Sequence, residues 1–385
     1  MELILKQYDI PLLRFSATND SSTPEIEVHW INEDQRHLLP LDMELSPEGI
    51  SRWMRRRTIP RNRAYVNRLL AKCGLNANRP MGILALCKGL SVDDSYWVVE
   101  EGFEGTFEKY NLFENRFSEV LALIAFTGYG SSNRSSLASS PEFTTNGMLP
   151  KCWRRISGKV TLYKGGTDGG YNTGAEPYCE YYAAQVAAAM GIDAIPYGLS
   201  QWKGRLCSTC ELFTDIDHAY MPIGNLVQRG GFDAVAAYYE NLGEPFQKAF
   251  RDMLVFDAVI CNTDRHYGNF GFMIDNKTNT IAAPAPLFDH GNSLFNQAGP
   301  EDYESPEAFQ QYIDTLVPCV YDDFFATAKR FMTDENREQL RKLLGFRFKR
   351  HVRYNLPPKR LKLMEEQVRK RAMRLLESKK PSITL

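Results

Sequence analysis

Long apolar runs are missing from this chain. No stretch of its 385 residues approaches the roughly 20 uninterrupted apolar residues that a membrane-spanning helix requires. The opening Met1-Glu2-Leu3-Ile4-Leu5-Lys6 lacks the basic and then apolar layout of a secretory signal. A cytoplasmic protein with no membrane partner is therefore the expectation. Paired metal-binding cysteines are also scarce. Of eight cysteines only Cys207 and Cys210 form a CxxC, and no second CxxC or nearby His pair completes a zinc site. The scattered remainder suits a reducing compartment, and structural use of Cys207 and Cys210 is the expectation. Neither a Walker A sequence nor a GxGxxG occurs, so two familiar glycine-rich nucleotide signatures are excluded. Internal repeats and low-complexity tracts are absent as well.

What is present is ordinary in bulk and uneven in detail. Hydrophobic content of 43% and charge of 24% fit a soluble globular protein, and the length allows two or three domain-sized units. The net charge of −1 hides an asymmetry. Residues 341–380 hold fifteen Lys and Arg against three Glu, an excess of twelve that leaves the remainder at −13. Leu361, Met364, Val368, Ala372 and Leu375 recur there at helical spacing, so the segment reads as a helix with one core face and one solvated basic face. Direct nucleic-acid binding is not expected from it.

Three regions are legible. Residues 1–127 read as short strands (Leu3, Leu5; Ile26, Val28, Trp30), a turn-rich stretch at 19–24, and helices. The first helix opens at Ser46-Pro47 and should stop before Pro60; a second should run over 61–73 and stop at Gly74. Arg55, Arg56, Arg57, Arg61 and Arg63 are expected on a solvated or partner-facing surface. Another helix covers about 117–126. Residues 128–215 begin with a Gly/Ser-rich loop, then a strand at 152–156, a Ser157-Gly158 turn, and a strand through Lys164. A Gly-rich stretch leads to Glu176-Pro177, which opens a helix ending at Gly191. Residues 216–385 are mostly helical.

The chemistry concentrates in Cys261-Asn262-Thr263-Asp264-Arg265-His266-Tyr267-Gly268-Asn269 and, twenty residues later, Phe288-Asp289-His290-Gly291. A β-hairpin around Asn276-Lys277-Thr278-Asn279 returns the chain between them. Phosphoryl transfer from ATP needs this set: a carboxylate to orient and accept from a hydroxyl, and an amide plus a second carboxylate to hold Mg²⁺. Asp264 is the candidate base, with Asn269 and Asp289 the candidate metal ligands. Arg265 and His266 flank the base and are placed to buttress its loop. Lys164 sits within an apolar strand, where an ammonium needs a counter-charge; Glu180 on the following helix is the candidate partner, and Lys164 would hold phosphates. The stretch from Thr144 to Lys151, with Gly147, could fold over phosphates through backbone N–H groups. Glu211 and Phe213 follow a strand where a connector could meet the adenine.

This pattern resembles the HipA-like kinases, a branch of the protein-kinase-like fold, over about residues 140–385. The resemblance rests on Asn262-Thr263-Asp264-Arg265-His266 with Asn269, on Phe288-Asp289-His290-Gly291, on the Pro150-Lys151 loop and on Lys164. It implies an α+β two-lobed fold with a β-rich small lobe, a mostly helical catalytic lobe and an N-terminal accessory region. It also implies an ATP- and Mg²⁺-dependent serine/threonine kinase acting on a protein substrate, toxin-like, with a helix-turn-helix antitoxin as a partner. Some family members are silenced by autophosphorylation of a serine in the phosphate loop. Here Thr144 and Thr145 occupy that loop, with Ser139 and Ser140 just upstream. Three other readings stay open: a phosphoinositide, lipid or small-molecule kinase of the same fold, a metal-dependent hydrolase using Asp264, His266, Asp289 and His290, and a binding module of kinase fold that recognises a partner without turnover.

Overall fold

The structure is a computed structural model that describes residues 1–18, 24–130 and 140–377. Most of the turn-rich 19–24 stretch, Ser139 and the last basic residues, Lys379 and Lys380, lie outside them. The architecture is α+β, with antiparallel sheets and many helices. By compactness it divides into two units. One holds Met1–Lys164, Glu211–Met221 and Met273–Ala282; the other holds Gly165–Cys210, Pro222–Phe272 and Ala283–Leu385.

In the first unit, β1 (Glu2–Gln7), β2 (Ile10–Ala17), β3 (Ile26–Ile31) and β4 (Tyr96–Glu100) form an antiparallel sheet in the order β3-β2-β1-β4. Alternation does the work in β1: Leu3 and Leu5 are buried while Glu2 is exposed, and a one-residue slip would turn the apolar set to water. Leu3, Leu13, Phe15, Trp53 and Met54 pack in one core. The helix Pro47–Arg56 begins as read, Ser46 accepting from the Gly49 N–H at 3.1 Å, a cap of about 1 kcal/mol.

The second helix departs from expectation. It starts only at Val66, because Tyr65 before it is left-handed (φ 60°) and the Ala64 N–H donates to the Met148 carbonyl. The arginine cluster is also corrected. Arg57 and Arg63 are buried, not solvated: Arg57 pairs with Asp94 and stacks on Trp53 at 4.6 Å, and Arg63 pairs with Glu142.

The hairpin of β5 (Lys151–Ile156) and β6 (Lys159–Gly165) turns at Ser157-Gly158, both at positive φ. In the second unit, β7 (Gly198–Trp202) and β8 (Arg205–Glu211) form another hairpin. Cys207 is buried within β8, and none of the eight cysteines is in a disulfide. β9 (His218–Pro222), β10 (Gly271–Asp275) and β11 (Thr280–Pro284) make a sheet in the order β11-β10-β9. The β10–β11 turn is the one read from sequence. Asp275 accepts from the Lys277 and Thr278 N–H groups, and Asn279 donates to the His37 and Leu39 carbonyls.

The second unit is organised around the apolar helix Phe246–Ile260, which packs against the helices Phe324–Phe331 and Pro358–Leu376. In the last of these Leu361, Met364, Val368, Ala372 and Leu375 are all buried, so the core face read from their spacing is correct. Glu176 opens a helix that ends at Met190, capped by Gly191 at φ 80°. Among the described residues no helix is long and apolar enough to cross a membrane.

Candidate active site

The Asp264 loop begins where the helix Phe246–Ile260 ends. Cys261 caps that helix in the left-handed region, φ 53°, a conformation disfavoured for residues with a Cβ and held only where surroundings fix it. Next, the Asn262 side chain accepts from the Asp264 N–H at 3.1 Å and donates to Asp257 at 3.2 Å. Asp264 itself is half-buried. Its Oδ2 accepts from Asn292 Nδ2 at 2.8 Å, which fixes the carboxylate plane. Asn269 is buried, and its Nδ2 donates to the Asp264 carbonyl at 3.2 Å. That bond uses the amide nitrogen and leaves Oδ1 as the atom a hard cation would take.

Arg265 joins the three expected residues. Its side chain is 1% exposed, and its guanidinium meets five polar atoms on four residues. Nε and Nη2 meet the two oxygens of Asp257 at 3.0 and 3.1 Å, Nη1 reaches the carbonyls of Asn269 at 3.1 Å and Phe288 at 2.6 Å, and Nη2 also meets His290 Nδ1 at 3.0 Å. One buried cation thus holds both the Asn269 end of one loop and the residues on either side of Asp289. Burial pulls the Arg265 pKa down, and the Asp257 carboxylate more than offsets it, so the group is held above its usual value and stays charged. Asp289 lies at φ 55°, and its N–H donates to the Tyr197 hydroxyl at 3.1 Å. That hydroxyl is pushed well above the usual phenol range, by burial first and then by Glu180, Cys210 and Asp289.

Glu180 is fully buried and close to the same loop: a Cβ on Gly291 would stand 3.4 Å from Glu180 Oε1 and 3.3 Å from Glu176 Cβ. A side chain there would press closely on the helix Glu176–Met190. Asp264, Asn269, Asp289 and Glu180 therefore share the second unit. Glu176 is a further member that sequence reading took only as a helix start. Its carboxylate accepts from the Thr167 hydroxyl at 2.7 Å and N–H at 3.2 Å, anchoring the Gly-rich stretch.

The remaining expected residues lie in the first unit. Lys151 and Lys164 face each other in the β5–β6 register, and both are buried. Directly opposed residues project to one face, so two ammonium groups concentrate positive charge there. Lys151 Nζ donates to the Asn146 carbonyl at 2.9 Å and is also what a Cβ on Gly147 (φ 91°) would strike, at 2.2 Å. The 144–151 loop is thus closed by its own lysine. Its start is fixed by a residue the sequence reading placed on the surface: Arg63 donates to the Glu142 carboxylate and carbonyl and, at 2.9 Å, to the Lys151 carbonyl. Glu142 Oε1 accepts from the Trp153 N–H at 2.8 Å. Burial pushes the Glu142 carboxyl upward, against the pull of Arg63. Glu211 is exposed and pairs with Lys159 at 2.7 Å; the backbone beside it is bound, Leu212 N–H to the Val160 carbonyl at 2.9 Å. Phe213 meets Tyr220 edge-on at 5.5 Å.

The arrangement disfavours a hydrolase metal cluster. His290 Nδ1 faces the Arg265 guanidinium, and His266 Nδ1 accepts from the Gly268 N–H at 3.0 Å. Among the described residues no three His, Cys, Asp or Glu side chains stand close enough to hold an ion. Asn269 and Asp289 each carry a hard side-chain oxygen, the donor type that Mg²⁺ and Ca²⁺ prefer.

Comparison with known proteins bears on the fold. No family model matches the chain. Over 135 residues it is 27% identical to the serine/threonine-protein kinase CtkA of Helicobacter pylori, a match covering 31% of this chain and 41% of that protein. The chain thus spans about two-fifths of the curated relative's length. The crystal structure of the H. pylori proinflammatory kinase CtkA superposes with a TM-score of 0.50 at 15% identity, over 60% of this chain and 90% of that one. HipA of the Shewanella oneidensis MR-1 toxin–antitoxin system, solved with HipB and operator DNA, gives 0.52 at 12% identity over 98% of this chain and all of HipA. The chain resembles the HipA-like kinases, and its fold is theirs.

Proposed function

We propose that this protein is a kinase that uses ATP and Mg²⁺ to phosphorylate a serine or threonine hydroxyl on a protein. The observation that carries the reading is the Arg265 hub, which ties the Asp264–Asn269 loop to the Asp289 loop from within the core. Asp264, its Oδ2 held by Asn292, presents Oδ1 to an acceptor hydroxyl and takes its proton; a positioned base contributes about 10²–10⁴-fold. Asn269 Oδ1 and the Asp289 carboxylate would hold Mg²⁺, which when bound neutralises charge on the phosphate tail. Lys151 and Lys164 add fixed positive charge from the β5–β6 face, and Gly147 lets the loop backbone turn close to phosphate. We assign Glu180 to steady Lys164, and the backbone at Glu211 and Phe213 to the adenine. On this reading residues 128–215 bind nucleotide, 216–385 carry the chemistry, and 1–127 are accessory. The likeness to HipA, solved with HipB from a toxin–antitoxin system, supports a toxin-like kinase; a helix-turn-helix antitoxin as partner and a cytoplasmic location are part of the proposal.

Intact-mass measurement after incubation with Mg·ATP tests the reading, comparing wild type with Asp264→Ala and Asp289→Ala. Added phosphate on wild type alone, or on a peptide mixture treated with it, is the expected result. Equal labelling of all three would end the assignment, and turnover of phosphoinositide without peptide would move it to a lipid kinase.

A further inference from the structure

A cavity of about 220 Å³ opens between the helices Pro306–Asp314, Phe324–Phe331 and Pro358–Leu376, away from every residue assigned above. Its wall carries Lys370, Arg371 and Arg374 against Asp314 and Asp323. Both acidic side chains already have protein donors: Asp314 accepts from Gln310 Nε2 at 2.8 Å, and Asp323 caps its helix at the Ala326 N–H, 2.6 Å. Among the described residues neither Lys370 nor Arg374 is in an ion pair. Two exposed cations therefore flank the cavity without a carboxylate of their own.

Arg371 supplies the second observation. It is 6% exposed and in no ion pair among the described residues: Nε donates to the Ala258 carbonyl at 2.6 Å, the guanidinium lies 5.5 and 4.5 Å from the ring centroids of Phe324 and Phe325, and Asp323 acts on it only through space. Nη2 is buried and has no hydrogen-bond partner among the described residues. A buried guanidinium with an unmet donor is costly, and only an acceptor, best an anion, removes the cost. Burial also draws the Arg371 pKa down, against the weaker opposing pull of Cys261 and Asp323, whereas Asp257 holds Arg265 up.

We propose that this cavity is a binding site for a small phosphate-bearing metabolite. Arg371 and Arg374 would meet the phosphate oxygens with planar donor forks, and Lys370 would add charge at the mouth. Gln310 and the Asp314 carboxylate lie along the same wall and suit hydroxyl groups of the attached carbon chain. The volume admits a short organophosphate. The site makes no use of the phosphotransfer chemistry, so it stands or falls independently of it. It reports through structure, since the same Arg371 side chain holds the last turn of the helix Phe246–Ile260.

The test is calorimetric titration of the full chain with inorganic phosphate and with glycerol 3-phosphate, at constant ionic strength against chloride. Saturable binding is expected, tighter for glycerol 3-phosphate, with slowed amide exchange around residues 258–262. Lys370 and Arg374 are exposed, so the double variant Lys370→Gln/Arg374→Gln should fold and weaken binding tenfold or more. Heat no greater than that of chloride, or binding unchanged in the double variant, would overturn the proposal. So would equal affinity for any polyanion that tracks salt alone.

Discussion

Arg265 and Asp257 form a two-point ion pair at 3.0 and 3.1 Å with both side chains sealed from solvent. Removing one partner leaves the other charge buried and uncompensated, a loss of about 3–5 kcal/mol. Asp257→Ala and Arg265→Ala should each lower the midpoint of denaturant unfolding by that measure. The double variant should lose clearly less than their sum, because the two residues share one interaction. Strict additivity would show that the pair does not hold the loops together.

Asp264→Asn keeps the size of the side chain and removes the charge, so folding should be unaffected while phosphate incorporation falls about 10²–10⁴-fold. Asn292→Ala frees Asp264 Oδ2 without removing the base, so its loss should be smaller, expressed in kcat rather than in the KM for ATP. An Asn292 variant as weak as the Asp264 variant would point to a wider collapse of the loop.

Arg63→Ala leaves the Glu142 carboxylate buried without its partner, so it should lower stability as the Arg265 variant does, and in the fraction that stays folded it should act on nucleotide affinity. Its guanidinium holds Glu142 and the Lys151 carbonyl, so its loss loosens the 144–151 loop from the far side. A rise in the KM for ATP with little change in kcat is the expected signature, read from steady-state rates at several ATP concentrations. Equal KM values would remove the loop from nucleotide binding.

Asp93 gives a pH dependence with a definite sign. Burial, then the neighbouring Asp94, raises its pKa from 3.8 to about 6, with the Ser91 hydroxyl and Arg57 opposing. A raised carboxyl favours the fold while protonated, below about pH 4, and that contribution is lost as pH rises through 6. The whole effect is up to about 3 kcal/mol for such a shift, and less for a half-buried side chain. Asp93→Asn should therefore raise the melting temperature at pH 8 relative to wild type and narrow the gap at pH 4. A variant that melts lower than wild type at pH 8 would contradict this.

Much of the candidate site was written locally. Asp264 and Asn269 are five residues apart on one loop, so the chain itself brings them together. The Asp275 turn likewise follows from side-chain bonds to the backbone N–H groups two and three residues on. Asp257 left a readable trace that went unused: one carboxylate inside Met253-Leu254-Val255-Phe256-Asp257-Ala258 needs a buried partner. Arg63 left none. Its charged neighbours suggested a solvated face, and its partner Glu142 is 79 residues away.

The sequence by itself determined the helix and strand periodicities, the caps at Ser46 and Gly191, and the residue types around Asp264 and Asp289, because these depend on neighbours within a few positions. Tertiary structure decided which charges are buried and what answers them: Arg265 with Asp257, Arg63 with Glu142, and Gly291 making room for Glu176 and Glu180. The reason is physical. The cost of desolvating a charge depends on what surrounds it in space, and one-dimensional spacing does not record that.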